Sequence, residues 1–411
     1  MTRQTCASHG PQLKTIETDT TLPDEIVELI LCRLSVRQLL QCRCVSKSWC
    51  ALIDSLRFIK KQHNKQYAIF TEEGNVPLVL DSGQCPANFG DPTKFYLLST
   101  RSEDVPLCVT SDLERDSTPY SPMNLGRFRT LRLSGFVNGV ALLVWDCRRD
   151  NNSYFALWNP ATREFKVVRP RRPRSDRKRH GDIIALGFDP KSNDFKVIRS
   201  INYEDVTGRL LCICKYELYS LNKDTWKSIE NPLPRIEIAS SDDFCGGYFN
   251  GVSYWSCISL EAPHSYIILS FDFSSEVLKV HDPPVALDYT QSCWVTKYMD
   301  SLAFIYGEND DASNLCVISV MSGIDVDNQG FPSSWKYLFT IRPFSLGSPF
   351  SFHALLMDGH MLFTINVDHR MESILYNPTT NAVSRRFGLF FSGCYEYVES
   401  LFRLSKRHVD S

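Results

Sequence analysis

The chain has no apolar run that approaches the roughly 20 residues a membrane-spanning helix needs, so no helical span is expected. It has no surplus of charge: 45 Lys and Arg stand against 47 Asp and Glu, a net charge of −2. That balance gives no global pull toward nucleic acid or a membrane surface. No GxGxxG, P-loop, HExxH or GxSxG pattern occurs, so nothing marks a dinucleotide site, a phosphate cradle, a zinc hydrolase or a serine nucleophile. On this reading the chain has no catalytic residues, no metal site and no cofactor. The 15 cysteines are odd in number and contain no CxxC pair, which argues against a disulfide framework and a zinc site. They read as reduced thiols used as small buried hydrophobes. Cys32, Cys42, Cys44 and Cys50 lie close in sequence, but inside helices that apolar periodicity already explains. The segment Met1 to Thr21 lacks the apolar core of a signal peptide, and residues 1–17 read as a disordered tail. A cytoplasmic or nuclear location follows as the expectation.

What is present is ordinary in bulk. At 411 residues, with 43% hydrophobic and 22% charged residues, the chain suits a globular protein of two or three domains, or one large β domain. Its organisation begins in the stretch from Leu22 to Lys61. Pro23 sits where a helix accepts proline, followed by Asp24 and Glu25 at the positive end of the helix dipole. Ile26, Leu29, Ile30 and Leu34 then recur at helical spacing, widened by Val27 and Leu31. Ser35 with Gln38 forms a capping-box pattern and starts a second helix carrying Val36, Leu39 and Leu40. Ser46 caps a third, in which Trp49, Leu52, Ile53 and Leu56 share a face. About 40 residues cannot bury this much apolar surface alone. The surplus must pack on the rest of the chain or serve as a docking face.

The Leu22-Pro23 start and the run Cys44-Val45-Ser46-Lys47-Ser48-Trp49 resemble the F-box, over residues 18–62. One departure is visible: Leu34-Ser35 stands where that family often has Leu-Pro. The resemblance implies docking onto the Skp-type adaptor of an SCF ubiquitin ligase, and through it a cullin. The residues expected to carry the docking are Leu22, Pro23, Ile26, Ile30, Leu34, Leu39, Leu40, Val45 and Trp49.

From Gln66 onward short apolar runs alternate with turn residues. Tyr67 to Phe70, Val76 to Leu80 and Phe95 to Ser99 read as strands, and Asp112 to Asn124 as a loop. Then a unit repeats. The Asn-Gly hairpin at Asn138-Gly139 returns at Asn250-Gly251, as Asp358-Gly359, and more weakly at Asp300-Ser301, with another turn at Asp189 to Asn193. A second hairpin follows each: Leu157-Trp158-Asn159-Pro160 matches Leu375-Tyr376-Asn377-Pro378, and segments at Tyr219 and Phe271 occupy the same slot. Four strands per unit at a period of about 50 residues is a kelch-like β-propeller pattern. Five units are clear. The strands before Thr110 supply most of a sixth, and Tyr395 to Leu404 reads as a final strand that closes the ring on the first blade. The fold expected is therefore mainly β: a helical module followed by a six-bladed propeller over residues 66–405. An irregular β-sandwich is the alternative.

The segments Leu157 to Arg163, Leu186-Gly187-Phe188-Asp189, Ser270-Phe271-Asp272 and Tyr397 to Leu401 resemble, in order, plant F-box proteins with an F-box-associated, kelch-like domain. That resemblance implies a substrate receptor that binds a target protein and presents it for ubiquitination and proteasomal degradation. A propeller-fold enzyme and a non-degradative adaptor-binding scaffold are the rival readings. One strong charge run stands out from Arg169 to His180, with seven Lys or Arg and the single acid Asp176. Arg171, Arg172, Arg174, Arg177, Lys178 and Arg179 are candidate contacts for an acidic or phosphorylated target or an import signal, against a plain solvated loop. The tryptophans recur about once per blade and read as core. His353, His360 and His369 straddle a hairpin without a ligand spacing.

Overall fold

The computed structural model describes residues 22–405 apart from 74–76, 82–94, 99–106, 109–127, 148–152, 169–178, 181–183, 205–209, 231–235, 239–245, 260–264, 288–290, 311–314, 327–330, 346–349, 357–358, 368–369, 388–390 and 392. Four helices come first: α1 (Asp24–Leu31), α2 (Val36–Cys42), α3 (Lys47–Ile53) and α4 (Leu56–Glu72). Serine begins three of them. Ser35 Oγ accepts from Gln38 N at 3.3 Å while Gln38 Oε1 accepts from Ser35 N at 3.0 Å, so the capping box is closed. Ser46 caps α3 through Trp49 N at 3.1 Å. Ser55 caps α4 through Phe58 N at 3.2 Å, so Leu56 opens a fourth helix and does not extend the third.

Helix α4 also overturns one expected strand. Tyr67 to Phe70 are helical, because α4 runs unbroken for 17 residues, and the expected junction at residues 63–66 falls inside it. The apolar run Tyr67-Ala68-Ile69-Phe70 is too short to separate the two periods.

Six antiparallel sheets follow. The first takes β1 (Leu78–Asp81), β2 (Phe95–Leu98) and β3 (Leu107–Cys108). The second is β4 (Phe128–Val137), β5 (Val140–Cys147), β6 (Ser153–Asn159) and β7 (Glu164–Val168). In the third, β8 (Arg179–His180) and β9 (Ile184–Asp189) both pair with β10 (Asp194–Glu204), followed by β11 (Leu210–Ser220) and β12 (Thr225–Ile229). In the fourth, β13 (Ile236–Ile238) and β14 (Gly246–Phe249) pair with β15 (Val252–Ser259), then β16 (Tyr266–Asp272) and β17 (Val277–His281). The fifth is β18 (Ser292–Tyr298), β19 (Ser301–Asp310), β20 (Leu315–Val326) and β21 (Pro332–Ser345). The sixth is β22 (Phe350–Leu355), β23 (Met361–Val367), β24 (Arg370–Asn377) and β25 (Ala382–Arg386). These are the blades of a six-bladed propeller.

Strand β26 (Gly393–Glu396) pairs with β1 in the register Leu78↔Glu396 to Asp81↔Gly393 and becomes the inner strand of the first blade. The ring therefore closes with three strands from the beginning of the ring and one from its end, which removes an open sheet edge. The closing strand lies earlier than Tyr395 to Leu404. Beyond Glu396 the chain leaves the sheet, and 397–405 has no regular structure.

The hairpins share one device. Asn159, Asp272 and Asn377 each accept two backbone N–H bonds through Oδ1, from the residues two and three positions on. Arg163, Glu276 and Asn381 then take positive φ, at 58°, 59° and 53°. An Asx side chain opens each turn and a left-handed residue closes it. The tryptophans Trp145, Trp158, Trp255 and Trp294 are buried, as expected of blade core.

Candidate functional site

Helix α1 is DEIVELIL, apolar around most of its circumference. A helix of that kind can bury only one side on its neighbours. The side it buries carries Leu31 and also Glu28, 6% exposed. Two residues of α4 satisfy the carboxylate: Arg57 Nη2 at 2.6 Å and Lys61 Nζ at 2.8 Å. The Lys61 hydrogen bond holds the Glu28 carboxyl below its ordinary pKa. The opposite side is apolar and open: Leu22 is 57% exposed, Ile26 42%, Leu29 46% and Ile30 48%, with Val45 at 63% in the α2–α3 turn. Glu28 is thus inside while the isoleucines are outside; Asp24 and Glu25, at the start of the helix, are exposed. Pro23 is also exposed, at the N-cap of α1.

The expected docking residues thus divide. Leu22, Pro23, Ile26, Ile30 and Val45 form the open face, together with Leu29, which the sequence reading placed in the stripe but not in the site. Leu34, Leu40 and Trp49 are half-buried against the core beneath. Leu39 does not belong to the open face: it is fully buried, in one contiguous cluster with Leu31, Val36, Ile53 and Phe58 of the helices and Phe188, Phe195 and Phe402 of the propeller side. The apolar surplus of the helical module has therefore both destinations, propeller on one side and open surface on the other.

The segment 397–405 is the bond between the two parts. Phe402 packs against both Phe188 and Phe195, each 5.3 Å away ring to ring, and those two rings are 5.0 Å apart. Asn159 Nδ2 donates to the carbonyls of Ser400 at 2.9 Å and Phe402 at 2.7 Å, which gives the Asn-Pro hairpin a second task. Glu164 Oε2 accepts from Leu404 N at 2.5 Å, and Arg403 reaches Asp54 of the module at 2.9 Å. Lys60 Nζ donates to Asn193 at 2.5 Å. The hairpin turns at Gly139, Asn159 to Glu164 and Asn193 hence face the helical module. The strands running away from those turns end at the far side, where β7 stops at Val168 and β9 starts at Ile184.

Arg171, Arg172, Arg174, Arg177 and Lys178 lie outside the described residues. Arg179 opens β8, and its backbone pairs with Tyr203, near the remote end of β10.

The inner strands surround a central cavity of about 390 Å3. Helix α4 crosses its module-side mouth with His63, Asn64 and Tyr67 on the wall. Lys297 of β18 donates to the Tyr67 hydroxyl, lies 4.5 Å from that ring centre and 3.5 Å from the Glu396 carboxylate. Burial works against the Lys297 charge, but Glu396 and Tyr67 outweigh it and its pKa lies above the ordinary value. His63 Nδ1 meets the Glu399 carbonyl at 3.2 Å, and burial holds the imidazole pKa down. This contact network had no sequence signal, because it joins α4 to strands more than 200 residues away. His353 bonds Thr364 within its own sheet at 2.7 Å, and His369 lies outside the described residues.

Known proteins share both parts of this architecture. Residues 20–61 match the F-box domain family, and residues 109–403 match the F-box associated beta propeller domain family. The Arabidopsis thaliana F-box protein At3g17320 is 24% identical over 412 residues, covering 88% of this chain and 89% of its own. F-box/kelch-repeat protein At3g23880 from the same plant is 24% identical over 64% of this chain and 66% of its own. A third Arabidopsis relative, At3g23260, is 28% identical over 258 residues, and the match spans 62% of each chain. A helical module of F-box sequence locked onto a six-bladed ring of the matching propeller type leads to one assignment: the chain belongs to the family of F-box proteins with an F-box-associated β-propeller domain.

Proposed function

We propose that the chain is the substrate-recognition subunit of an SCF-type ubiquitin ligase. The observation that carries this reading is the open apolar side of α1, with Ile26, Leu29 and Ile30 exposed while Glu28 is buried. An apolar patch built from these residues with Leu22, Pro23 and Val45 suits a desolvated contact with a Skp-type adaptor, and through it a cullin. Leu34, Leu40 and Trp49 support that face from beneath. The module-side end of the propeller is occupied by α4 and the 397–405 segment, so the remote end is the surface for the target protein. The basic residues Arg171 to Arg179 belong to that target surface in this reading, because the strands flanking them end there. The subunit does no chemistry; it raises the effective concentration of the target at the ligase, which leads to ubiquitination and proteasomal degradation. It acts in the cytoplasm, the nucleus or both; among the described residues no helix is long and apolar enough to cross a membrane.

The test is affinity purification of the full chain from native tissue, with and without a proteasome inhibitor. Recovery of adaptor, cullin and a protein that accumulates only under inhibition is the expected result. Adaptor without any such protein points to a scaffold, and absence of adaptor overturns the reading.

A further inference from the structure

We infer that Glu28 is the positioning residue of the docking face: through Arg57 and Lys61 it sets the roll of α1, and so decides which of two apolar arcs is left open. That the open arc meets an adaptor rests on the proposed receptor function; the roll itself does not. At about 100° per residue, Val27 and Leu31 fall on one side of α1 beside Glu28, while Ile26, Leu29 and Ile30 fall on the other. Each arc is aliphatic enough to pack on a core, so apolar burial by itself does not choose between them. The open arc even holds the bulkier set, two isoleucines and a leucine against a valine and a leucine.

The choice falls to polar contacts. Among the described residues, Glu28 is the one polar side chain of α1 with a hydrogen bond or ion pair to another element. Its Oε2 accepts from Arg57 Nη2 at 2.6 Å and its Oε1 from Lys61 Nζ at 2.8 Å, and these partners stand one turn apart on a single face of α4. A cation on each oxygen fixes the carboxylate and holds the side of α1 that bears it against α4. Turned by about half a revolution, α1 would bury Ile26, Leu29 and Ile30 and carry Glu28 away from both cations. Helix α4 also holds the end of α1: Gln66 Nε2 donates to the Cys32 carbonyl at 3.3 Å and Gln62 Nε2 to the Leu34 carbonyl at 3.4 Å. Both acceptors lie past the last residue of the helix, so they place its end and leave the roll to Glu28. An ion pair that adds little net stability can still select one packing among near-equals.

The experiment uses the full chain and hydroxyl-radical labelling of side chains read by mass spectrometry, which reports the roll without the adaptor. Adaptor affinity is measured beside it. The Arg57 and Lys61 side chains are 76% and 46% exposed, so both can be changed without opening the core. Arg57→Glu with Lys61→Glu sets two carboxylates against Glu28. Labelling should then fall severalfold at Ile26, Leu29 and Ile30 and rise at Val27 and Leu31. Adaptor affinity should drop by about tenfold, as the competent roll falls to about a tenth of the molecules. Adding Glu28→Lys restores the pairs with their signs exchanged and should return both readouts to wild type. Should the double variant melt early, Arg57→Ala with Lys61→Ala carries the test, with a smaller shift in the same direction. Unchanged labelling in a folded variant overturns the inference. So does an equal rise on both arcs, which marks detachment of α1, and so does a failure of Glu28→Lys to rescue. A wild-type chain that captures no adaptor sinks the receptor function and leaves the labelling test of the roll intact.

Discussion

Glu399 Oε2 accepts a hydrogen bond from the backbone N–H of Val36 at 3.1 Å, across 363 residues of sequence. The amide is one of the unsatisfied donors at the start of α2, so a residue beyond the propeller's closing strand caps a helix of the docking module. Because Glu399 is exposed, the bond is partly screened. Glu399→Ala should destabilise the module by about 0.5–1 kcal/mol, read as an earlier thermal transition with the β signal unchanged.

Removing the whole segment should do far more. A chain ending after Glu396 keeps β26 but loses Tyr397, Val398, Leu401, Phe402 and Leu404, all buried. The expected product is a closed ring with its helices detached: rapid proteolysis after α4, while strand protection in hydrogen exchange persists. Helices that stay protected in this truncation would show that α4 alone holds the module in place.

Docking and folding should separate cleanly by residue. Ile26→Asp with Ile30→Asp places charges on the open face and should abolish adaptor capture with little change in melting temperature. Leu39→Asp buries an unpaired carboxylate within the shared core and should destabilise the chain by several kcal/mol. Loss of adaptor binding by Leu39→Asp would therefore report unfolding. Adaptor capture at wild-type levels by the Ile26/Ile30 variant would remove α1 from the interface.

Gly139 is fixed twice, by φ of +75° and by its neighbour. A Cβ there would lie 2.6 Å from the Val398 carbonyl oxygen and collide with the Ser400 side chain. Gly139→Ala should cost about 1–3 kcal/mol, from left-handed strain plus displacement of the 397–405 segment. Gly251→Ala, at a similar φ of +83° but with only Phe188 O near, at 3.9 Å, should cost less. Comparison of the two melting temperatures measures the clash itself.

His63 gives the interface a pH dependence. Burial lowers its pKa from an ordinary value of 6.5, so the folded protein disfavours the proton that the unfolded chain accepts. Its contribution is complete above the unfolded pKa and fades as pH falls below it. The wild-type melting temperature should drop more between about pH 7.5 and about pH 5 than that of His63→Gln, which retains a donor for the Glu399 carbonyl. Parallel pH profiles for the two proteins would show that His63 does not titrate on unfolding in this range.

The parts of this fold that were legible in the sequence are those encoded locally. Ser35 with Gln38, and the Asn-Gly turns at Asn138 and Asn250, are settled by residues within five positions of one another. The repeat was legible for the same reason, since each blade restates its turns. Helix α4 past His63 was not, because Gln66 to Phe70 is short and its helical state is fixed by contacts with Lys297, Glu396 and Cys32. Nor could periodicity tell Leu39 from Leu40. Both lie on one apolar stripe, and the propeller chooses which is covered. The cavity is a product of ring closure and leaves no trace in any single blade.

Ring closure also orders events in time. During synthesis the helical module emerges first, with both the Leu39 side and the Ile26 side uncovered. The second to sixth blades can pair their strands as they leave the ribosome, but the first blade waits for Gly393 to Glu396, and the module waits for Phe402. A nascent chain stalled anywhere before that point carries an open sheet edge and two apolar helical faces at once. In a finished one the sheet edge and the Leu39 side are covered, and the Ile26 side stays open. Completion of the stretch from Gly393 to Phe402 is thus the step that covers the sheet edge and one apolar helical face together.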